Sequence, residues 1–260
     1  MITYPELQIQ RYASALRDIA DDLNEAIRKR TDGLIDKLGN FLTKAQDQAS
    51  FGLPDELRQA REDMDDTIDE DRLREVVASN LNSISNTINV QFNESFRQIT
   101  NIKPFQNDAR LERIMEQRIS ENVDLIKTLP ERHFDEIEDL VKQAVNEGWS
   151  TDRLRDAIPR QGATGEFKAE RIARDQAGDL SGDITRQRFS DAGVRTFVWD
   201  AVLDSRTREG HRQANGRKFT WDEGAPPSMS ETGFPGKDIQ CRCVAGLPTD
   251  ELQSRRRDTG

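Results

Sequence analysis

The sequence is short of the residues that build a deep core, a membrane span or a covalent framework. Only 34% of its 260 residues are hydrophobic and 6% are aromatic, against 33% that are charged. No apolar run approaches the length that crosses a bilayer, and the N-terminus lacks the charged and apolar regions of a secretory signal. We therefore expect a thin core, no membrane contact and synthesis in a cytoplasm.

Cysteine and histidine are equally scarce, with two residues of each. A single residue separates Cys241 from Cys243, and side chains at positions i and i+2 lie too far apart for a relaxed disulfide. The two cysteines are therefore free thiols, partners in a bond to another chain, or metal ligands.

An excess of positive charge is also missing. The formal net charge is −10, whereas a surface that binds duplex DNA nonspecifically needs an excess of lysine and arginine. The one dense basic run is Arg255–Arg257, near the C-terminus.

What the chain does have is helical periodicity. Apolar residues recur at three- and four-residue spacing from Tyr12 to Phe41 and again from Val77 to Ile99, with an acidic segment at 55–72 between these stripes. One stripe per helix cannot make a deep core, so we expect residues 1–105 to form an extended helical arm that depends on partners or self-association.

The middle of the chain, residues 106–193, predicts further helical runs that lead into a smaller domain. The expected breaks between these runs are Pro130, Gly148 followed by the capping residue Ser150, the segment Pro159–Gly165, and Gly193.

From residue 194 the period changes to the alternation of a strand. We expect strands near 195–202, 217–221 and 239–244, and a helix at 205–214 capped by Asp204. The predicted fold class is α+β, in which a long, mainly helical N-terminal part precedes a small C-terminal α+β domain with a short sheet. That domain spans 194–250, and a basic tail at 251–260 follows it.

One candidate site lies in the small domain. It contains Asp204, His211 and both cysteines, which we expect to converge, with Cys241 and Cys243 on one face of the third strand. Imidazole and thiolate groups are ligands that zinc prefers, so one interpretation is a zinc site with Asp204 or Asp238 as the fourth ligand.

Two other interpretations remain open. A Cys/His pair could carry hydrolysis or group transfer, although no nucleophile elbow or oxyanion loop surrounds either cysteine. Alternatively, Asp204, Arg208 and His211 form a hydrogen-bonded polar core that fixes the loop before Cys241, with both cysteines buried as small apolar residues. We favour this last interpretation.

The ordered residues of this region resemble a known family. They are Trp199, Asp204-Ser205-Arg206-Thr207-Arg208, His211, Gly216, Pro235-Gly236 and Cys241-Arg242-Cys243. In this order they resemble the phage Mu protein F-like minor head proteins, also called the phage head morphogenesis family, and the resemblance covers about the second half of the chain. The preceding helix, Glu170–Asp175, is also similar, although family members commonly have Thr-Glu where this chain has Asp175-Gln176.

The resemblance implies a structural virion component that is not an enzyme. Such a protein is present in few copies at the portal vertex inside the head, acts in head assembly and leaves with the genome during ejection. The implied partners are the portal protein, a scaffold or major capsid protein, and packaged DNA. The alternatives are a metal- or thiol-dependent enzyme and a DNA-binding accessory protein of the virion, the latter with Arg206, Arg208, Arg212 and Arg217 along one outward surface.

Overall fold

The computed structural model describes residues 1–45, 59, 62 and 69–258. In chain order, the elements in these ranges are α1 (Glu6–Ala45), α2 (Glu70–Thr100), α3 (Asp108–Glu147), α4 (Thr151–Asp191), β1 (Thr196–Asp200), α5 (Glu209–Ala214), β2 (Lys218–Thr220), β3 (Val244–Gly246) and α6 (Thr249–Asp258). Long helices followed by a small sheet confirm the predicted α+β class. The acidic segment 55–72 lies largely outside the described residues. No described helix is long and apolar enough to span a membrane.

The sheet has three antiparallel strands in the order β2-β1-β3. The central strand, β1, carries alternating residues, so Phe197 and Trp199 point into the core. Phe197 pairs with Phe219 of β2, and Asp200 pairs with Val244 of β3. This register places the ends of β1 and β3 next to the chain segments that carry the candidate site.

The chain divides into two compact units built from discontinuous segments. Unit 1 contains residues 1–12, 77–120 and 171–260, and unit 2 contains residues 13–76 and 121–170. The sequence prediction instead divided the chain into consecutive segments, and that division stays a prediction about independently folding parts.

Unit 1 has an aromatic core around the sheet. Phe197 is fully buried, and its ring centroid lies 4.4 Å from that of Trp221. Phe189 of α4 packs edge-on against Trp221, and it also contacts Phe92 of α2. Several aromatic residues from the sheet and two helices are therefore buried together in this core.

Unit 2 buries helix stripes against one another. Its core cluster consists of Phe134, Ile137, Val141, Ala144, Trp149, Leu154 and Ile158, with Leu23 and Ala26 packed against it.

The apolar stripe predicted from residue 77 onward, which belongs to α2 of unit 1, is buried as well: Val77, Leu81, Ile84 and Ile88 are each at most 1% exposed.

Two predicted helix breaks are wrong, because α3 runs through Pro130 and α4 runs through the Pro159–Gly165 segment. In α3 the buried residues Val123, Ile126, Phe134 and Ile137 keep one helical phase across the proline. An interior proline costs about 3 kcal/mol, whereas each fully buried aliphatic or aromatic side chain contributes about 1.5–3 kcal/mol. In α4, Leu154 and Ile158 before the segment and Ala173 and Ala177 after it are buried.

Other predicted helix ends are confirmed. Helix α4 ends before Gly193, whose φ of +66° lies in the left-handed region that glycine favours. Ser150 caps the first turn of α4, since its Oγ accepts a hydrogen bond of 3.2 Å from the Arg153 backbone N–H.

The third strand begins later than predicted, at Val244 and not near 239. Gln240 has a φ of +57°, and its N–H donates to the Asp175 carboxylate of α4 over 2.6 Å, so the backbone there cannot continue a ladder. The helix predicted at 205–214 is also shorter. Asp204 Oδ1 accepts the Arg206 N–H and so closes a turn, and α5 begins only at Glu209, without a side-chain cap.

Candidate functional site

His211 is the central residue of the candidate site. It lies on α5 and is 3% exposed, with its ring centroid 5.3 Å from that of Trp199 on β1. Its Nε2 lies 2.8 Å from Asp238 Oδ2. Because an ionised carboxylate can only accept, Nε2 carries a proton and Nδ1 faces the opposite side of the ring.

Asp238 is held by a cradle of donors from one loop. Its Oδ2 accepts from the Ser230 hydroxyl at 2.8 Å, and its Oδ1 accepts from the Thr232 backbone N–H at 2.9 Å and the Thr232 hydroxyl at 2.7 Å. Asp238 is itself buried. The His211 ring is therefore fixed by a carboxylate whose own position is fixed.

Both thiols lie on the Nδ1 side of His211. Nδ1 is 3.7 Å from Cys241 Sγ and 3.5 Å from Cys243 Sγ, and the three donor atoms lie within 4.8 Å of one another. Each cysteine is 4% exposed and neither forms a disulfide. Both cysteine side chains thus point to the same side of the chain, toward His211, as predicted. They lie just before β3 and not within it.

The charges of this cluster are coupled. The hydrogen bond to Asp238, supported by one to Cys241, raises the pKa of His211 to about 9 against the effect of burial. Burial opposes ionisation of Asp238, but hydrogen bonds from His211, Thr232 and Ser230 outweigh it and hold the pKa of Asp238 well below its usual range.

The two thiols respond in opposite directions. The contact with Cys243 lowers the pKa of Cys241 to about 5, against burial and with help from His211. The same contact, together with burial, raises the pKa of Cys243. Without a metal ion, these shifts favour an imidazolium between the Asp238 carboxylate and a Cys241 thiolate, with Cys243 as the thiol.

The Pro235-Gly236 turn aligns the loop that carries Asp238. Gly236 has a φ of +84°, and a Cβ at this position would lie 2.8 Å from the Gly178 carbonyl oxygen of α4. The loop backbone can approach the helix this closely only because both positions are glycine.

Asp204 lies outside this cluster. Its Oδ1 accepts a hydrogen bond of 2.6 Å from the Arg242 guanidinium, and this bond is the main cause that holds the pKa of Asp204 well below its usual range. Arg208 donates to the Ile239 carbonyl over 2.6 Å. The structure thus brings together three of the four expected residues, while Asp204 and Arg208 bind the chain on either side of Cys241, at Arg242 and Ile239. The hydrogen-bonding partner of His211 is Asp238, and not Asp204 as in the polar core that we expected.

The arginines of this region make local contacts. Arg206 lies 3.8 Å from Asp204, Arg212 donates to the Asp204 carbonyl, and Arg217 donates to Met229 Sδ at 3.5 Å. These contacts do not favour an outward DNA-binding row.

The arrangement contains the parts of three chemistries. It can hold a metal ion through two sulfurs and a nitrogen. It can also fix the loop through buried hydrogen bonds. In addition, Asp238, His211 and Cys241 follow one another in contact, in the order of an orienting carboxylate, a base and a nucleophile. Almost complete burial of both sulfurs works against attack on a substrate.

Sequence reasoning missed the full role of Asp238 and its cradle. Asp238 was considered only as an alternative metal ligand. The available signal was a carboxylate three residues before Cys241, with two hydroxyl residues, Ser230 and Thr232, in the loop before it. The turn at 233–236 brings these hydroxyls back to Asp238. Residue spacing alone does not predict the conformation of this turn.

Comparison with known proteins gives a family for the region that contains the site. Residues 135–246 match the model of the phage Mu protein F like proteins, which confirms for this region the family resemblance seen in the sequence. An uncharacterized protein of Haemophilus influenzae is 36% identical over 123 residues, which cover 47% of this chain and 27% of that protein. The chain thus spans about a quarter of this relative's length. No solved structure matches it.

Proposed function

We propose, from the premise that residues 135–246 form a phage Mu protein F-like region, that the chain is a structural minor head protein of a tailed phage. It associates with the portal vertex inside the head, in few copies, acts in head assembly and leaves with the genome. The family match is the observation that carries this proposal. His211, Asp238 and both cysteines lie inside the matched range, so the buried polar cluster belongs to the family region.

The charge of the chain supports a protein partner over a DNA partner. A protein with a net charge of −10 repels the phosphate backbone of packaged DNA over most of its own surface. A chain that works beside dense DNA without coating it needs protein contacts to hold it in place.

Exposed apolar side chains offer a place for such contacts. Ile102 and Phe105 lie in the connection between α2 and α3, and they are 57% and 72% exposed. Large apolar residues are the usual anchors of protein interfaces when a partner covers them.

The portal association is tested by co-expression of the full chain, carrying an affinity tag, with the portal protein of the same phage. We expect the portal protein to copurify with the chain and to migrate with it as one complex in size-exclusion chromatography. Separate elution at micromolar concentrations of both proteins contradicts the association.

A variant pair sharpens this test. Replacing both Ile102 and Phe105 by serine should weaken the copurification at least tenfold if these residues are anchors, since each buried anchor contributes about 2 kcal/mol or more. Val90→Ser is the matched control, because Val90 is 53% exposed on the outer side of α2. Circular dichroism checks that both variants keep their helix content.

A further inference from the structure

The donor atoms around His211 form a set that fits a transition-metal ion. Two cysteine sulfurs and an imidazole nitrogen face one point, and all three donors are buried. This is a soft and borderline donor set of the type that selects zinc over magnesium or calcium.

The spacing of these atoms agrees with tetrahedral coordination. With zinc–sulfur and zinc–nitrogen distances of about 2.3 and 2.0 Å, a thiolate and an imidazole on one tetrahedral ion lie about 3.5 Å apart. The corresponding separations are 3.5 Å to Cys243 and 3.7 Å to Cys241.

The surroundings of the donors match those of metal sites in proteins. A metal-bound imidazole usually donates its other N–H to a carboxylate, and Asp238 has this position here. The Cys241 sulfur also accepts the Cys243 backbone N–H at 3.4 Å, a contact that stabilises a thiolate.

A fourth ligand has to come from outside the group. Among the described residues, no further histidine, cysteine, aspartate or glutamate joins the three donors. All three instead border a cavity of about 210 Å³, which Tyr4 and Arg174 also line. A cavity of this size holds several water molecules.

We propose that His211, Cys241 and Cys243 bind one zinc ion, and that a water molecule from this cavity takes the fourth position. Asp238 is a positioning residue for this site, because it acts on the metal only through His211. The ion ties α5 to the loop before β3, which are otherwise joined by side-chain hydrogen bonds.

The test uses the full chain, purified without chelator. Elemental analysis should find about one zinc per chain, and exchange for Co²⁺ should produce thiolate-to-cobalt charge-transfer absorption together with the visible bands of a tetrahedral ion. Cys243→Ser should lose the charge-transfer intensity of one sulfur and most of the bound zinc. Asp204→Asn is the matched control and should keep both, since Asp204 contacts Arg242 and not the donors.

Asp238→Asn keeps all three donors and therefore separates positioning from ligation. It should weaken zinc affinity about 10–100-fold in a competition with a chromophoric chelator, while the cobalt bands keep their positions. A folded wild-type chain that binds neither zinc nor Co²⁺ overturns the proposal. A Cys243→Ser variant with unchanged metal content and an unchanged cobalt spectrum overturns it as well, because the ligands then lie elsewhere.

Discussion

Replacing Asp238 by asparagine should destabilise the region around the site far more than an ordinary polar substitution. Asp238 is buried, and donors surround both of its oxygens: His211, Ser230 and the Glu231 N–H meet Oδ2, and two groups of Thr232 meet Oδ1. The asparagine NH2 group is itself a donor, so it faces two or more donors in either orientation. Removing one partner of a buried ion pair costs about 3–5 kcal/mol, and we expect a loss in this range.

The assay is urea unfolding of the full chain in a chelator-containing buffer, with amide hydrogen exchange resolved by peptide. Peptides that cover 209–243 should lose protection, while peptides of unit 2 around Trp149 should keep theirs. Asp204→Asn is the control, and it should cost much less than Asp238→Asn because the bond to Arg242 is partly exposed. An Asp238→Asn loss below about 1 kcal/mol would refute the argument, since the cradle would then contribute no more than a surface pair.

Three further predictions concern the core, the loop and pH. Phe197→Ala should cost about 3–5 kcal/mol in urea unfolding, because the ring is fully buried among other aromatic rings, and a cost under 1 kcal/mol would contradict this packing. Gly236→Ala should cost about 2–4 kcal/mol, from the left-handed φ and the clash with Gly178, and should exceed the cost of Gly216→Ala, whose added Cβ meets nothing within 4 Å. In the metal-free chain the His211 pKa of about 9 lies above its unfolded value of about 6.5, so its stabilisation is complete below pH 6.5 and is lost as pH rises through 9. The Cys241 pKa of about 5 lies below its unfolded value of about 8.5, so its stabilisation is complete above pH 8.5 and is lost as pH falls through 5. The two contributions oppose each other between pH 6.5 and 8.5, and a free energy of unfolding that changes steeply in this range would count against the buried imidazolium–thiolate pair.

The helical stripes and the first two strands could be predicted because each depends on a local period. The apolar stripe from Val77 to Ile88 and the apolar alternation around Phe197 correctly predict which face of the helix and of the strand is buried. The helix breaks at Pro130 and at the Pro159–Gly165 segment could not be judged in the same way. Whether a proline ends a helix depends on how much its neighbours bury, and that depends on the tertiary structure.

The candidate site could be predicted in composition but not in all of its contacts. The scarcity of histidine and cysteine in the chain, and the order of these residues along it, indicated His211 and both cysteines as site residues. The structure brings these three residues together. The left-handed backbone at Gln240, where no glycine marks it, delays the third strand and lets Asp175 bond the loop. Asp238 then takes the position next to His211 that we expected for Asp204. A non-glycine residue at positive φ leaves no local signal in the sequence. The sequence therefore could not show that Asp238, and not Asp204, lies next to His211.

A role as a structural head protein is tested by the amount of this chain in purified phage heads. Heads are isolated from cells that produce the phage that encodes the chain, and its peptides are quantified by mass spectrometry against those of the portal and major capsid proteins. We expect a few copies per head, far below the major capsid protein, in mature heads and in heads that have not yet packaged DNA. Absence of the chain from both kinds of head, while it accumulates in the same cells, would contradict a role as a structural head protein.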